Sequence, residues 1–311
     1  GTAMKQNTQK QISEIRSFNR YYTNILGLLD QHILESGLSL AEARVLFEAS
    51  KAGCTPKQLA EALRVNAGYI SRIIKGLETA GWLERKPFSE DGRVQLLSLT
   101  KAGEEKLAAL EQSSNEQIAS LIEPLPEVQR AELTRSMAAV RTLLTGGKEI
   151  QPEEVTLRTE QKPGDIGYLT YMHGWIYQEE YDYNACFEAY VAQSFFEYMQ
   201  NAEPEKSRIW CAEHNGRTVG CIGIVGRGER AQLRWFLLDP LYRGIGLGRR
   251  LLDAALTFAR EAGFHKIYLE TTDDLKDEVR MYEKAGFRKC AEKPNHSWRE
   301  DLTELEFEME L

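Results

Sequence analysis

At 311 residues the chain is long for one hydrophobic core and comfortable for two. Its 42% hydrophobic and 28% charged residues are ordinary for a soluble globular protein, and no run approaches the ~20 apolar residues of a membrane span. The formal charge of −8 is unevenly spread: residues 1–150 carry 19 Lys+Arg against 18 Asp+Glu, and residues 151–311 the remaining 20 and 29, so any nucleic-acid surface belongs to the first half.

Gly1-Thr2-Ala3 ahead of Met4 reads as a vector remnant rather than a signal peptide. Residues 7–37 place apolar side chains at helical spacing and end at Gly37, so a helix is expected there. Ser39 with Glu42, and Thr55 with Gln58, are two capping boxes. They open "SLAEARVLFEAS" and "TPKQLAEALRV", the second with Pro56 at its first helical position. Asn66 caps "NAGYISRIIKGLETAG", whose Ile70, Ile73, Ile74 and Leu77 line one face. Two short helices joined at Arg64–Val65 make a helix-turn-helix. The runs Trp82-Leu83 and Val94–Leu99 flank Ser89-Glu90-Asp91-Gly92, a hairpin signal, so a wing follows. Thr100 caps a further helix, and a last one runs from about Pro126 to Leu144.

This order of elements, the wing "SEDGRVQLLSLT" with Asp91 and Arg93, and the "LTKAGEEKL" after it resemble the MarR family of winged-helix regulators over about residues 10–145. The resemblance implies a homodimer through the first and last helices, bound to a double-stranded DNA operator. Opposite its isoleucines the recognition helix presents Tyr69, Ser71, Arg72 and Lys75, side chains suited to a major groove. Arg93 at the wing tip suits a minor groove or a phosphate. The outer face of any helix pair is polar, and a near-neutral half is no strong basic field. A winged helix kept only for dimerisation is therefore the alternative.

Gly146-Gly147 through Pro152 mark a linker. Beyond it elements alternate: a strand in "EVTLRT", helices near 163–179 and 184–200, and two strands joined at Asn215-Gly216. Then come a strand "RAQLRWFLLDP", a helix "LGRRLLDAALTFAREAG", a strand "KIYLETT", a helix "LKDEVRMYEKAG" and two closing strands. Five scattered cysteines without a C-x-x-C pair suit reduced thiols in a cytoplasm, and no metal-ligand spacing is present.

Gly244, Gly246 and Gly248 lie between a strand and a helix, where a phosphate is commonly held. A dinucleotide fingerprint wants its third glycine at 249, where Arg249 stands, and a tighter turn than Asp239–Tyr242 leaves. A nucleotide-triphosphate loop wants Gly-Lys-Ser/Thr, which is absent. The third reading is coenzyme A. Arg243-x-x-Gly246-x-Gly248, the preceding "WFLLDP" and the later "MYEKAGF" resemble the GNAT family of N-acetyltransferases over roughly residues 153–311. The signature rests on Arg243, Gly246 and Gly248, with Gly244 incidental to it.

The resemblance implies an α/β fold with a mixed, mostly antiparallel sheet after the mainly helical first domain, acetyl-CoA as cosubstrate, and no metal. It implies that Arg243, Gly244, Ile245, Gly246, Leu247, Gly248 and Arg249 cradle the pyrophosphate, and that pantetheine lies along Phe236, Leu237 and Leu238. Tyr282 matches the general acid that protonates the departing thiolate; a core tyrosine is the other reading. Glu270, twelve residues earlier, matches a general base, against a merely solvated strand end. Leu275 stands where many relatives carry a cofactor-contacting Asn. "YLTYMHGWIYQEEYDYN" offers His173, Glu179 and Glu180 for a cationic amine acceptor, or is an aromatic packing face with an acidic edge. The expected domains are 4–146, a linker 147–152, and 153–311. The expected function is a cytoplasmic regulator and N-acetyltransferase in one chain. Its alternatives are a regulator that only senses acetyl-CoA and an acetyltransferase with a silent winged helix.

Overall fold

The computed structural model describes residues 2–30, 33–51, 53–88 and 94–311, with side chains from residue 7 onward. They form two compact units, Gly1–Pro126 and Glu127–Leu311.

The first unit contains α1 (Thr2–Ile25), α2 (Leu40–Ser50), α3 (Pro56–Leu63), α4 (Ala67–Thr79) and α5 (Lys101–Ile122). An antiparallel pair, β1 (Leu83–Pro87) and β2 (Gln95–Leu99), lies between α4 and α5. Both capping boxes form, Asn66 accepts from the Tyr69 N–H, and Arg64 makes the α3–α4 turn at φ 54. Leu46, Leu59, Ile70, Ile74 and Leu97 are fully buried at its centre. The Leu-Thr-x-x-Gly exit from the wing has a steric cause. The Thr100 hydroxyl donates to the Gly81 carbonyl and accepts from the Gly103 N–H, drawing α5 against the chain at Trp82. A Cβ on Gly103 would lie 2.0 Å from the Trp82 carbonyl oxygen. The helix expected over 7–37 is shorter: Gly27 takes φ +62, and a 3-10 turn at Ile33–Glu35 follows. The wing tip, with Asp91 and Arg93, lies outside the described residues.

The second unit opens with α6 (Glu127–Leu144). The strands are β3 (Thr156–Arg158), β4 (Arg208–His214), β5 (Arg217–Arg227), β6 (Arg230–Leu238), β7 (Lys266–Thr272), β8 (Arg288–Asn295) and β9 (Leu302–Glu310). They form one sheet of order β3-β4-β5-β6-β7-β9-β8, antiparallel except between β6 and β7. The helices are α7 (Asp165–Tyr181), α8 (Ala185–Asn201), α9 (Leu247–Glu261) and α10 (Lys276–Ala285). One core packs Leu251, Leu252 and Ala255 of α9 against Ile222, Ile224, Leu233 and Ile267 of the sheet. The other packs Leu169 and Met172 of α7 and Phe195 of α8 against Cys211, Cys221 and Trp235. The fold is therefore a helical winged-helix unit followed by an α/β unit with a mixed, mostly antiparallel sheet.

Candidate active site

Two irregularities of β6 make the site. Its parallel pairing with β7 runs from Arg230↔Lys266 to Leu233↔Leu269 and then stops, so the strands part. On its other side a bulge sets two β6 residues against one on β5, because Arg234 pairs with Gly223 and Leu237 with Cys221. Trp235 takes φ 51 within the bulge and stacks on Phe195, with ring centroids 4.5 Å apart. Gly223 makes room for it: a Cβ there would meet the indole at 2.5 Å. The Asp239 N–H donates to the Val219 carbonyl, which makes Gly220↔Leu238 a non-hydrogen-bonded pair. The N–H of Leu238 therefore turns away from β5, toward the gap beside β7.

The glycine loop closes one end of that gap. Asp239 Oδ1 accepts from the Leu241 N–H, and a short 3-10 turn, Pro240–Tyr242, leads to Arg243. Gly244 and Gly246 have φ +77 and +82, so Gly244 is needed for its backbone conformation although it lies outside the sequence signature. Gly246 is the N-cap of α9 and offers no side chain, which leaves the first N–H groups of Leu247, Gly248 and Arg249 open to an anion. Leu247 is buried and Ile245 packs on the core, so these residues can meet a ligand only through backbone. A Cβ on Gly248 would crowd Leu238 at 3.2 Å. Arg243 is braced by Glu180 at 2.9 Å and by the Leu238 carbonyl at 3.3 Å. Donors, helix end and cation together fit a pyrophosphate.

The gap continues as a cleft of about 110 Å³ between β6, β7 and the helices α7, α8 and α10. Tyr282 lies at its base, 3% exposed, its ring 6.2 Å from that of Phe236. Burial, and then the charge of Glu278, raise its phenol well above the ordinary value. Glu270 stands on the lip, still touching solvent. Desolvation by its neighbours, and then the charge of Glu304, raise its carboxyl. Glu278, one helical turn before Tyr282, also lines the cleft, and burial pushes its carboxyl up to about 8. The helical spacing could have revealed it.

Of the acceptor residues read from sequence, His173 lines the cleft, with its Nδ1 2.7 Å from the Leu169 carbonyl; burial lowers its pKa to about 4. Glu180 pairs with Arg243 of the glycine loop, and Glu179 is exposed. The cleft brings in residues the sequence reading missed: Arg234, Tyr183, Tyr190 and, from the β8–β9 connection, Trp298. Tyr183 bonds Thr272 at 2.6 Å and Asp274 at 2.9 Å, and Asp274 also holds Arg299. In the first unit Tyr69, Ser71, Arg72 and Lys75 are exposed along α4, while Ile70, Ile74 and Leu77 face inward. Among the described residues no helix is long and apolar enough to cross a membrane, and no group of three or more His, Cys, Asp or Glu could hold a metal.

A sheet parted between two parallel strands, with an uncapped glycine-headed helix beside the gap, follows a unit built as a winged helix. Residues 173–287 match the acetyltransferase (GNAT) family and residues 36–94 the MarR family. The chain thus carries a segment similar to each family, the regulator-like one first. It is 38% identical over 82 residues to the uncharacterized N-acetyltransferase YjgM of Escherichia coli, covering 25% of this chain and 49% of that protein. It is 27% identical over 134 residues to the HTH-type transcriptional regulator BilQ of Clostridium symbiosum, covering 36% of this chain and 93% of the regulator. A crystal structure of an acetyltransferase from Streptococcus agalactiae aligns with a TM-score of 0.42 at 23% identity, over 51% of this chain and 99% of its own. The chain spans less than half the length of the first N-acetyltransferases it matches, 49% and 43%.

Proposed function

We propose that the chain is an acetyl-CoA-dependent N-acetyltransferase fused to a MarR-type DNA-binding dimer and acting in the cytoplasm. The observation that carries the reading is the parting of β6 and β7 beside the open N-terminus of α9, with buried Tyr282 at the base of the cleft between them. The reading assigns 4–146 to the regulator, 147–152 to a linker and 153–311 to the enzyme.

Acetyl-CoA supplies the acetyl thioester. The backbone of 244–249 holds the pyrophosphate, with Arg243 alongside, and Phe236–Leu238 pair with the pantetheine arm. The Leu238 N–H donates to the thioester carbonyl oxygen as charge develops there. Glu270 accepts the proton of an incoming ammonium, directly or through one water, and the freed amine attacks in a ternary complex. Tyr282 gives its proton to the departing thiolate. Burial supports that role, because it keeps the phenol protonated throughout the working pH range. Exposed Ile15, Phe18 and Tyr21 on α1, and exposed Val128, Val140, Leu143 and Leu144 on α6, support a homodimer through these helices. The exposed polar face of α4 supports operator binding.

The test is a pooled amine acetylation assay with product detection by mass spectrometry, which the chain's own thiols do not disturb. Amine-dependent product is expected. Acetyl-CoA binding without any product across the pool would reduce this unit to a sensor.

A further inference from the structure

The acceptor end of the cleft carries one unmatched cation and one unmatched anion, placed side by side. Arg234 and Glu270 are each the next residue after the last parallel pair, Leu233↔Leu269. Adjacent parallel strands lie ~4.8 Å apart, so the two residues start as neighbours at the point where the strands diverge. The bulge turns consecutive residues Arg234 and Trp235 to the same face. Arg234 Nη2 donates to the Tyr190 phenol at 2.9 Å, and Trp235 Nε1 donates to Ser194 Oγ at 2.9 Å, both acceptors on α8. Tyr190 thus fixes the guanidinium, which also lies 5.6 Å from the Tyr190 ring centre. Among the described residues no carboxylate comes within 4.0 Å of Arg234, and no cation within 4.0 Å of Glu270. The third charge lining this end, Glu304, is already matched by Lys293 at 3.2 Å and by the Asn295 amide. Above them stands an aromatic wall: Trp298 is 5.1 Å from Tyr190 and 5.1 Å from Phe187.

A simple amine would satisfy Glu270 and leave a fixed guanidinium without an anion. A molecule with an ammonium and a carboxylate one carbon apart satisfies both. We infer that the acceptor is an α-amino acid with an apolar side chain: its carboxylate on Arg234, its ammonium at Glu270, its side chain against Trp298 and Phe187. The inference rests on the acetyltransferase reading above and names its substrate class. In the reaction the α-ammonium gives a proton to Glu270. Its nitrogen forms the new bond to the acetyl carbon, the carbon–sulfur bond breaks, and the thiolate takes the Tyr282 proton. The nitrogen, positive once bonded to the acetyl carbon, gives its second proton through water to the Tyr282 phenolate; the N-acetyl-α-amino acid and free coenzyme A leave, and Glu270 returns its proton to solvent. Guanidinium–carboxylate pairs are strong because two parallel hydrogen bonds form, and a site built for such a partner rejects analogues lacking it.

The experiment compares matched acceptors on the full chain: L-phenylalanine, phenylalaninamide and phenethylamine, and likewise L-leucine, leucinamide and isoamylamine. Acetyl-CoA binding is measured separately by calorimetry. The acids are expected to exceed their amines in kcat/KM by about 10²-fold, chiefly through KM. Arg234→Ala and Arg234→Gln should bring the acid-to-amine ratio to about one, and Arg234→Lys should recover part of it. Equal rates for acid and amine, a preference for the amine, or bound acetyl-CoA with none of the acids acetylated would each overturn the inference and leave the cofactor reading standing. Failure of acetyl-CoA to bind would overturn the acetyltransferase reading beneath it.

Discussion

Replacing Glu278 by glutamine tests the electrostatics of the cleft. Burial lifts this carboxyl from 4.5 to about 8; Arg243 opposes the rise, and Asp274 and Glu180 add to it. Between those two pH values the folded chain holds a proton that the unfolded chain has released, so stability falls as pH rises through the interval. At 1.36 kcal/mol per pH unit the full displacement corresponds to about 5 kcal/mol. Glu278 is only partly buried, and water reaching it screens the charge and lowers the figure to about 2–3 kcal/mol. The amide keeps the side chain's shape and cannot ionise. In a unit of this size 1 kcal/mol moves Tm by about 2–4 °C. E278Q should therefore raise the melting temperature of the second unit by about 4–12 °C at pH 9, and by no more than about a third of that at pH 5. Scanning calorimetry at the two pH values makes the comparison. An equal difference at both would refute the claim that the carboxyl is held protonated by the fold.

Tyr282→Phe should lower turnover by about 10²-fold while calorimetric acetyl-CoA binding is kept; unchanged turnover removes the phenol from the chemistry. Gly103→Ala puts a methyl 2.0 Å from the Trp82 carbonyl and should cost the first unit about 3 kcal/mol or more in urea denaturation. A cost below about 1 kcal/mol would show that α5 slides freely along the wing. Arg72→Ala should abolish enrichment of a site from genomic DNA at moderate salt, with the far-ultraviolet circular dichroism unchanged. Undiminished enrichment would move the reading of bases elsewhere.

Local chemistry was legible in the sequence. Ser39, Thr55 and Asn66 announce helix starts because a cap needs only its own side chain and a backbone N–H three residues on. The glycine loop was legible for the same reason, since Gly246 and the head of α9 are contiguous. The end of α1 was not, because the apolar spacing runs past Gly27 and only its backbone conformation breaks the helix. The cleft was half legible. Tyr282 and Glu270 come with a recognisable spacing, whereas Arg234 carries no motif: alternation from Leu233 turns it to the α8 face, and the bulge then sets Trp235 beside it. Nothing in "QLRWFLL" states that. Trp298 is distant in sequence and reaches the cleft through the β8–β9 connection, where Asn184 donates to the Ser297 carbonyl. Glu180 shows a relation that spacing does not give: its carboxylate pairs with Arg243, 63 residues on.

The bulge at Trp235 acts as a phase slip in an otherwise two-beat strand. Before it, Leu233 belongs to the α9 core and Arg234 to the α8 face; after it, Phe236 belongs to the α9 core and Leu237 to the α8 side. Arg234 and Trp235 thus both meet α8 from one face of the strand, where regular alternation would send one of them to the α9 side. Removing Trp235 would restore strict alternation and leave Phe236 and Leu237 on the faces they now hold, at the cost of the indole that stacks on Phe195. The bulge therefore adds one side chain to the α8 face without exchanging the cores on either side of the strand.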